Sequence, residues 1–275
     1  MTTVAPHAGE RVPTRVRIPD RALPWLGVLG ALLVFEVLPR TGMLASNHFP
    51  PTSRILTTLA GQLAEASFWT ASLNTLEGWA LGLGFAAAAA IPLGLLIGSV
   101  RLLYRAVRVP IEFLRPVPSV ALIPLVILLY GTGLESKVFL AAFASFWQLI
   151  LQTMYGVQDV DPVATDTARS FGFSRLRRLV YVTLPSAVPY IATGLRISSA
   201  VALILSVTAE LVIGSAGLGR EINVARAGGN VELMYALIIM AGLLGWLLNL
   251  GFVWIERRVL HWHPSQRLDV AAVPA

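Results

Sequence analysis

The sequence contains no cysteine, which excludes disulfide bonds, thiol nucleophiles and thiolate metal sites. Charged residues are also scarce, at 13% of the 275 residues, whereas a soluble domain carries roughly 25%. Hydrophobic residues make up 56% of the chain, and its mean hydropathy is +0.71. Because several apolar runs also reach membrane length, the composition indicates an all-α polytopic membrane protein.

Lysine occurs only once, at Lys137. The phosphate-binding pattern G-x-x-x-x-G-K-[ST] is therefore missing, and any ATP hydrolysis must come from a partner. Histidine occurs four times, and the one pair at close spacing, His261 and His263, is interpreted as interfacial residues after a last span. We expect no catalytic residue, metal or cofactor. The net charge of +6 is attributed to arginine on the cytoplasmic side of a membrane, so no nucleic-acid partner is expected.

About six transmembrane helices are predicted. They lie at residues 23–38, 69–99, within 111–130, 138–154, 190–213 and 233–255. The first and third are marginal, since a span needs about 20 residues. Residues 44–46 resemble a cleavage site, so the first run could be a secretory signal, but we interpret it as an uncleaved signal anchor.

Basic residues are distributed unevenly between the two predicted sides. With both termini in the cytoplasm, 15 of the 21 Lys and Arg residues fall in cytoplasmic segments and 5, including Lys137, in outer loops. This bias follows the positive-inside rule. The predicted organisation is a cytoplasmic tail at 1–22, a first span with its outer loop at 23–66, a transmembrane domain at 67–262 and a cytoplasmic tail at 263–275.

The segment between the fourth and fifth predicted spans is too polar to cross a membrane. Asp161 and Pro162 suit the N-cap and first position of a helix, and Gly172 suits the left-handed residue that ends one. A helix of about ten residues is therefore predicted, followed by a second helix from Ser174 to Leu184, where Pro185 interrupts. Four small or apolar residues share one side of the first helix: Val163, Thr167, Ala168 and Phe171. That side could dock into a groove on another protein or only meet lipid.

Polar residues inside the predicted spans are candidates for a pore or gate, because charge in a membrane is costly. Glu210 is the strongest candidate, although it could instead pair with a neighbour such as Arg196. Glu77, Asn74 and Gln148 are further candidates, but polar groups at such positions often join helices.

Glycine has two predicted uses. The pairs Gly78 with Gly82 and Gly94 with Gly98 are spaced at i and i+4, which lets helices approach closely. The glycine-rich segment 214–230 is expected to be irregular. It could form an outer gate, receive a binding protein or be a plain exposed loop.

The segment at 161–185 resembles the cytoplasmic loop of permease subunits of bacterial ABC importers. Their signature runs Glu-Ala-Ala, then Gly, then Leu-Pro, and here Asp166-Thr167-Ala168, Gly172 and Leu184-Pro185 stand at similar spacing. FLRPVPSVALIPLVILLYGTG (113–133) and AELVIGSAGLG (209–219), among other segments, resemble the nitrate, sulfonate, taurine and bicarbonate branch. One departure is Thr75, where relatives often carry Arg.

The resemblance implies a type I ABC importer permease architecture, MetI-like, with a coupling helix at about 161–172 seated in an ATPase. It implies an ABC ATPase dimer, a second permease copy, with a homodimer expected, and an extracytoplasmic substrate-binding protein, in the lipid bilayer of a bacterial inner membrane. The expected solute is small, an anion such as nitrate, a sulfonate or taurine. The ATPase-coupling residues that the resemblance indicates are Val163, Asp166, Thr167, Ala168, Phe171, Gly172 and Pro185.

Two other functions compete with this interpretation. An integral membrane transferase would need clustered carboxylates for a metal ion, and no two acids fall at helical spacing within a predicted span. An ion-coupled carrier working alone predicts an inverted repeat with interrupted helices in both halves, and no such symmetry is visible.

Overall fold

The structure is a computed structural model that describes residues 23–45 and 47–261. The tails predicted at 1–22 and 263–275, together with His263, lie outside the described residues. The described chain contains a 3₁₀ turn at Ser119–Leu122 and a π turn at Leu179–Thr183. The helices are α1 Leu23–Arg40, α2 Thr52–Gln62, α3 Ala66–Ser99, α4 Arg101–Leu114, α5 Ile123–Tyr130, α6 Leu134–Gln158, α7 Pro162–Ser170, α8 Arg175–Arg178, α9 Leu184–Ile213, α10 Leu218–Ala227 and α11 Val231–Val259.

The chain divides between Arg54 and Ile55 into two compact units. In the first unit, Glu36 near the end of α1 accepts hydrogen bonds from the backbone N–H (2.9 Å) and hydroxyl (3.0 Å) of Ser53, and it also pairs with Arg40. The expectation of an outer loop after the first span, within 23–66, is wrong in part, because that segment contains α2. The first expected span coincides with α1, and its crossing of the membrane stays a prediction.

Membrane-length helices dominate the second unit. Within the described residues, α3, α6, α11 and the continuous helix from Arg175 to Ile213 are long and apolar enough to cross a membrane. They correspond to the second, fourth, sixth and fifth predicted spans. The third differs: α4 and the segment Ser119–Tyr130 are bent by 81° at the intervening break, so they form either one broken span or a re-entrant pair. Pro116 and Pro118 lie in that break, where missing N–H donors and restricted neighbours disfavour a continuous helix.

The predicted glycine stripe on α3 packs against α6. A Cβ built at Gly78, Gly82, Gly94 or Gly98 would lie closer than 3.0 Å to a side chain of α6. Residues at these positions face that helix because they recur at i and i+4. The predicted packing role is confirmed. The glycines let the backbone of α3 approach α6 more closely than any larger residue would allow.

Gly82 and Gly84 provide a matched test of this packing. Gly82→Ala is expected to lower the stability of the protein by about 1–3 kcal/mol, because its Cβ would overlap Ala141. Gly84→Ala meets nothing within 4 Å and should be neutral or stabilising by up to about 1 kcal/mol through helix propensity. Thermal unfolding in detergent micelles compares the two. Equal melting midpoints for the two variants would contradict the close approach of α3 to α6.

Two local predictions are wrong. Pro185 does not interrupt the helix that begins after Ser174, because the chain widens into the π turn and continues as α9, with Pro185 in its first turn. A π turn of this kind absorbs the missing donor of a proline. The segment 214–230 is largely helical, since burial of Leu218, Ile222 and Ala225 favours α10 over an irregular chain.

Candidate functional site

The helix α7 is closed at both ends by its own residues. The Asp161 carboxylate accepts from the N–H of Val163 at 2.8 Å, which is an N-cap bond. At the other end Gly172 has φ +75°, and its N–H donates to Arg169 O (2.9 Å) while that of Phe173 donates to Ala168 O (3.0 Å). These two bonds form a Schellman motif, for which only glycine has a strain-free left-handed conformation. The predicted short helix and its boundaries are confirmed.

The predicted face of α7 divides into inward and outward residues. Ala168 is buried, whereas Val163 is 70% and Phe171 is 79% exposed. Thr167 is also exposed, and Asp166 forms a solvent-exposed pair with Arg169 at 3.3 Å. Val163, Thr167 and Phe171 recur every four residues, so they form one outward stripe, called the α7 stripe below.

The chain just before α7 is hydrogen-bonded to α9. The Tyr190 hydroxyl donates to the Asp159 carboxylate at 2.7 Å, and a Cβ at Gly156 would lie within 3.0 Å of Tyr190 Cβ. The end of α6 and the beginning of α9 therefore pack closely on either side of the capped helix. This packing holds α7 on two of the membrane helices.

A buried ion pair lies at the opposite end of α9. Lys137, in the first turn of α6, is 2% exposed, and Glu210 is 0% exposed. The ammonium of Lys137 contacts Oε1 of Glu210 at 2.9 Å, and it donates to the backbone oxygens of Asn74 (2.7 Å) and Ala216 (2.9 Å). All three N–H groups of the ammonium thus have acceptors, as a buried charge requires.

The second carboxylate oxygen of Glu210 is bound as fully. It accepts from the Thr75 hydroxyl at 2.9 Å and from the N–H of Gly219 at 3.0 Å, while Thr75 accepts from the N–H of Leu218 at 2.9 Å. Residues from α3, α6, α9 and α10 therefore meet at one point, called the Lys137–Glu210 clamp below.

Glycine is required around this clamp. A Cβ at Gly217 would overlap the Glu210 carboxylate, and one at Gly78 would overlap the methylenes of Lys137. Gly217 also has φ +151°, a conformation that favours glycine. Backbone thus approaches the two charged side chains as closely as atoms allow.

The clamp corrects two sequence-based assignments. The predicted topology places Lys137 in an outer loop, but α6 begins at Leu134, earlier than predicted, so the residue lies buried in that helix. Arg196, the suggested partner of Glu210, pairs instead with Glu256 of α11 at 3.3 Å. Sequence reasoning therefore missed Lys137 as a site residue. The available signal was a single lysine in the whole chain, directly beside a membrane-length apolar run.

A cavity of about 280 Å³ opens beside the clamp. Two of the predicted pore or gate residues, Asn74 and Glu77, line it, whereas Gln148 lies 11 positions beyond Lys137 on α6, about 16 Å away. Glu210 lies behind the cavity wall and is not among the lining residues. Among residues 23–45 and 47–261, no three His, Asp or Glu side chains group as metal ligands would. The cavity is lined by Asn74, Glu77, Gly133, Leu134, Lys137, Ser215 and Ala216.

Comparison with curated proteins finds relatives over most of the chain. The chain is 33% identical over 244 residues to the taurine transport system permease protein of Escherichia coli, covering 86% of this chain and 89% of that protein. It is 29% identical over 257 residues to a putative aliphatic sulfonates transport permease protein of the same organism, covering 92% and 96%. A nitrate import permease protein of Leptolyngbya laminosa is 34% identical over 194 residues, covering 70% and 69%.

Solved structures share the fold. A methionine ABC transporter in an inward-facing conformation matches with a TM-score of 0.63 at 20% identity, covering 71% of this chain and 99% of that one. A bacterial ABC transporter that imports alginate matches with a TM-score of 0.60 at 17% identity, covering 87% and 96%. The family model described as "binding-protein-dependent transport system inner membrane component" matches residues 90–261. The chain therefore belongs to that family and is a multi-pass membrane protein, the permease subunit of an ABC importer.

Proposed function

We propose that the chain forms, with a second copy of itself, the pathway of an importer whose energy comes from separate ATPase subunits seated on α7. The α7 stripe carries this proposal. Two exposed apolar side chains and Thr167 stand on a helix that is capped at both ends and held by α6 and α9. In helix-in-groove recognition, anchor residues on one face of a helix enter a groove of the partner, and the α7 stripe presents three residues on one such face.

Lipid contact is the alternative use of the stripe. An interfacial helix that binds lipid has a broad apolar face. The outward side of α7 instead carries Asp166 and Thr167 between its two apolar ends, and its Ala168 is turned inward. This composition favours a protein groove over a bilayer.

The proposed solute is a small sulfonate, aminosulfonate or nitrate, delivered by an extracytoplasmic binding protein. The names of the curated relatives support this class. Asn74 and Glu77, on the cavity beside the clamp, are the proposed contacts at the outer end of the pathway. We place both termini in the cytoplasm, because the arginine bias of the sequence follows the positive-inside rule.

Orientation can be tested with single thiols because the chain has no cysteine. A maleimide that cannot cross membranes is expected to label Val163→Cys only in inverted vesicles and Val224→Cys only in intact cells. Both valines are exposed, and they lie on α7 and α10. Labelling of Val163→Cys in intact cells would place α7 outside and refute the docking proposal.

Transport itself is tested by reconstitution. The full chain is co-expressed with its candidate ATPase and purified through a tag on the permease, and uptake of radiolabelled taurine, ethanesulfonate and nitrate is measured in proteoliposomes with the binding protein. We expect the ATPase to co-purify and uptake of at least one solute to require internal ATP. Uptake at full rate without the ATPase would support an ion-coupled carrier instead.

A further inference from the structure

The wall of the cavity beside the Lys137–Glu210 clamp carries a buried hydroxyl that no other part of the described chain binds. Ser215 is 5% exposed, yet its hydroxyl has no hydrogen-bond partner among the described residues. Buried hydroxyls are nearly always bonded, so an unpaired one on a cavity wall indicates a missing partner. Asn74 and Glu77 line the same cavity. Together they offer a hydroxyl, an amide and a carboxylate.

The charge of the cavity is set by Glu77. Lys137 contributes no free N–H, because its three donors are bound by Glu210 and two backbone oxygens, and its charge is offset by that of Glu210. Lys137 is also the one basic residue among those that line the cavity with Glu77. Among the lining residues, Glu77 is therefore the uncompensated charge, and it makes the cavity negative despite the lysine in its wall.

A negative cavity with two neutral donors discriminates among small solutes. A fully anionic solute would be repelled by Glu77, with a Coulomb cost of about 1 kcal/mol at ~4 Å in water and more where water is excluded. A primary ammonium would instead be bound by that carboxylate through a charge-assisted hydrogen bond. The Ser215 hydroxyl and the Asn74 amide are then available to donate to the oxygens of an acidic group at the other end of the same molecule.

We propose that this cavity is a contact site for a zwitterionic aminosulfonate, with the ammonium on Glu77 and the sulfonate oxygens on Ser215 and Asn74. The proposal rests on the proposed function, and it narrows the solute class from small anions in general to those that carry an amine. The cavity volume of about 280 Å³ equals roughly nine waters at about 30 Å³ each, which is ample room for such a solute.

A thiol introduced at Ala216, an exposed lining residue, tests the charge of the cavity. The probes are two methanethiosulfonates of similar size, one carrying trimethylammonium and the other sulfonate. Relative to Val224→Cys, the rate ratio of cationic to anionic labelling at Ala216→Cys should be about tenfold higher, which corresponds to about 1.4 kcal/mol of electrostatic preference. Adding Glu77→Gln should bring the ratio toward that of Val224→Cys.

Protection by solutes tests the ligand. Taurine and ethanesulfonate differ only in the amine, so taurine is expected to slow the labelling of Ala216→Cys and ethanesulfonate is not. Equal protection by both, no protection by taurine, or a rate ratio unaffected by Glu77→Gln would overturn the proposal. The assays use the full chain purified with its ATPase. Loss of the ATPase from that preparation would contradict the proposed function separately, since labelling at Ala216 is measured independently of it.

Discussion

Replacing Lys137 by methionine is expected to lower the free energy of unfolding by about 3–5 kcal/mol. The substitution keeps most of the length of the side chain but leaves the Glu210 carboxylate buried without its cation, and an unpaired buried charge is costly. The melting temperature of the purified protein, followed through the fluorescence of its seven tryptophans, measures the loss. The drop in melting temperature should exceed that caused by Gly82→Ala, which disturbs packing but leaves no buried charge without its partner.

The double variant Lys137→Met with Glu210→Gln separates the ion pair from simple packing. Glutamine retains oxygen and nitrogen at the carboxylate position, so the bonds to Gly219 and Thr75 can persist without a buried charge. We expect the double variant to recover at least half of the stability lost by Lys137→Met alone, because removing both charges avoids the desolvation cost of one. Additive losses from the two substitutions would show that the pair is not coupled.

Truncation of Phe171 to alanine is expected to weaken binding of the ATPase about thirtyfold, equivalent to about 2 kcal/mol, which is the scale of an aromatic hot spot at an interface. The side chain is 79% exposed, so its removal should leave the stability of the free permease unchanged. Co-purification of the ATPase after stepwise dilution of the complex in detergent measures its affinity for the permease.

Leu102→Ala is the matched control for Phe171→Ala. Leu102 is also 78% exposed but lies on α4 rather than α7, so a general loss of apolar surface would affect both variants equally. Unchanged ATPase binding in Phe171→Ala, with normal binding in the control, would remove Phe171 from the interface. Ala168 is unsuitable for this test because it is buried against its own chain, and a larger residue there would disturb the fold.

Local signals in the sequence were sufficient for several elements. Asp161, Pro162 and Gly172 mark the ends of α7 through capping chemistry that acts within a few residues. The glycines of α3 indicated helix packing because their spacing alone puts them on one face. Four of the six predicted spans followed from length and hydropathy, and they correspond to α3, α6, α11 and the helix from Arg175 to Ile213.

Long-range contacts were not encoded in this way. Lys137 and Glu210 lie 73 positions apart, and no local pattern states that the two residues meet. The helix α10 was missed since its glycines suggest irregular chain, while burial of Leu218 and Ile222 decides the outcome. The predicted helix break at Pro185 does not occur, because the π turn accommodates the proline and the helix continues.

The helix from Arg175 to Ile213 runs without a chain break for 39 residues, or about 58 Å. One end abuts the capped helix proposed to receive the ATPase, and the other carries Glu210. A continuous helix cannot tilt at one end alone. A displacement that the ATPase causes at the α7 end would therefore also move Glu210, reduced only by bending at the π turn. Substitutions that stiffen the π turn should therefore strengthen the coupling between ATP hydrolysis and opening of the outer end of the solute pathway.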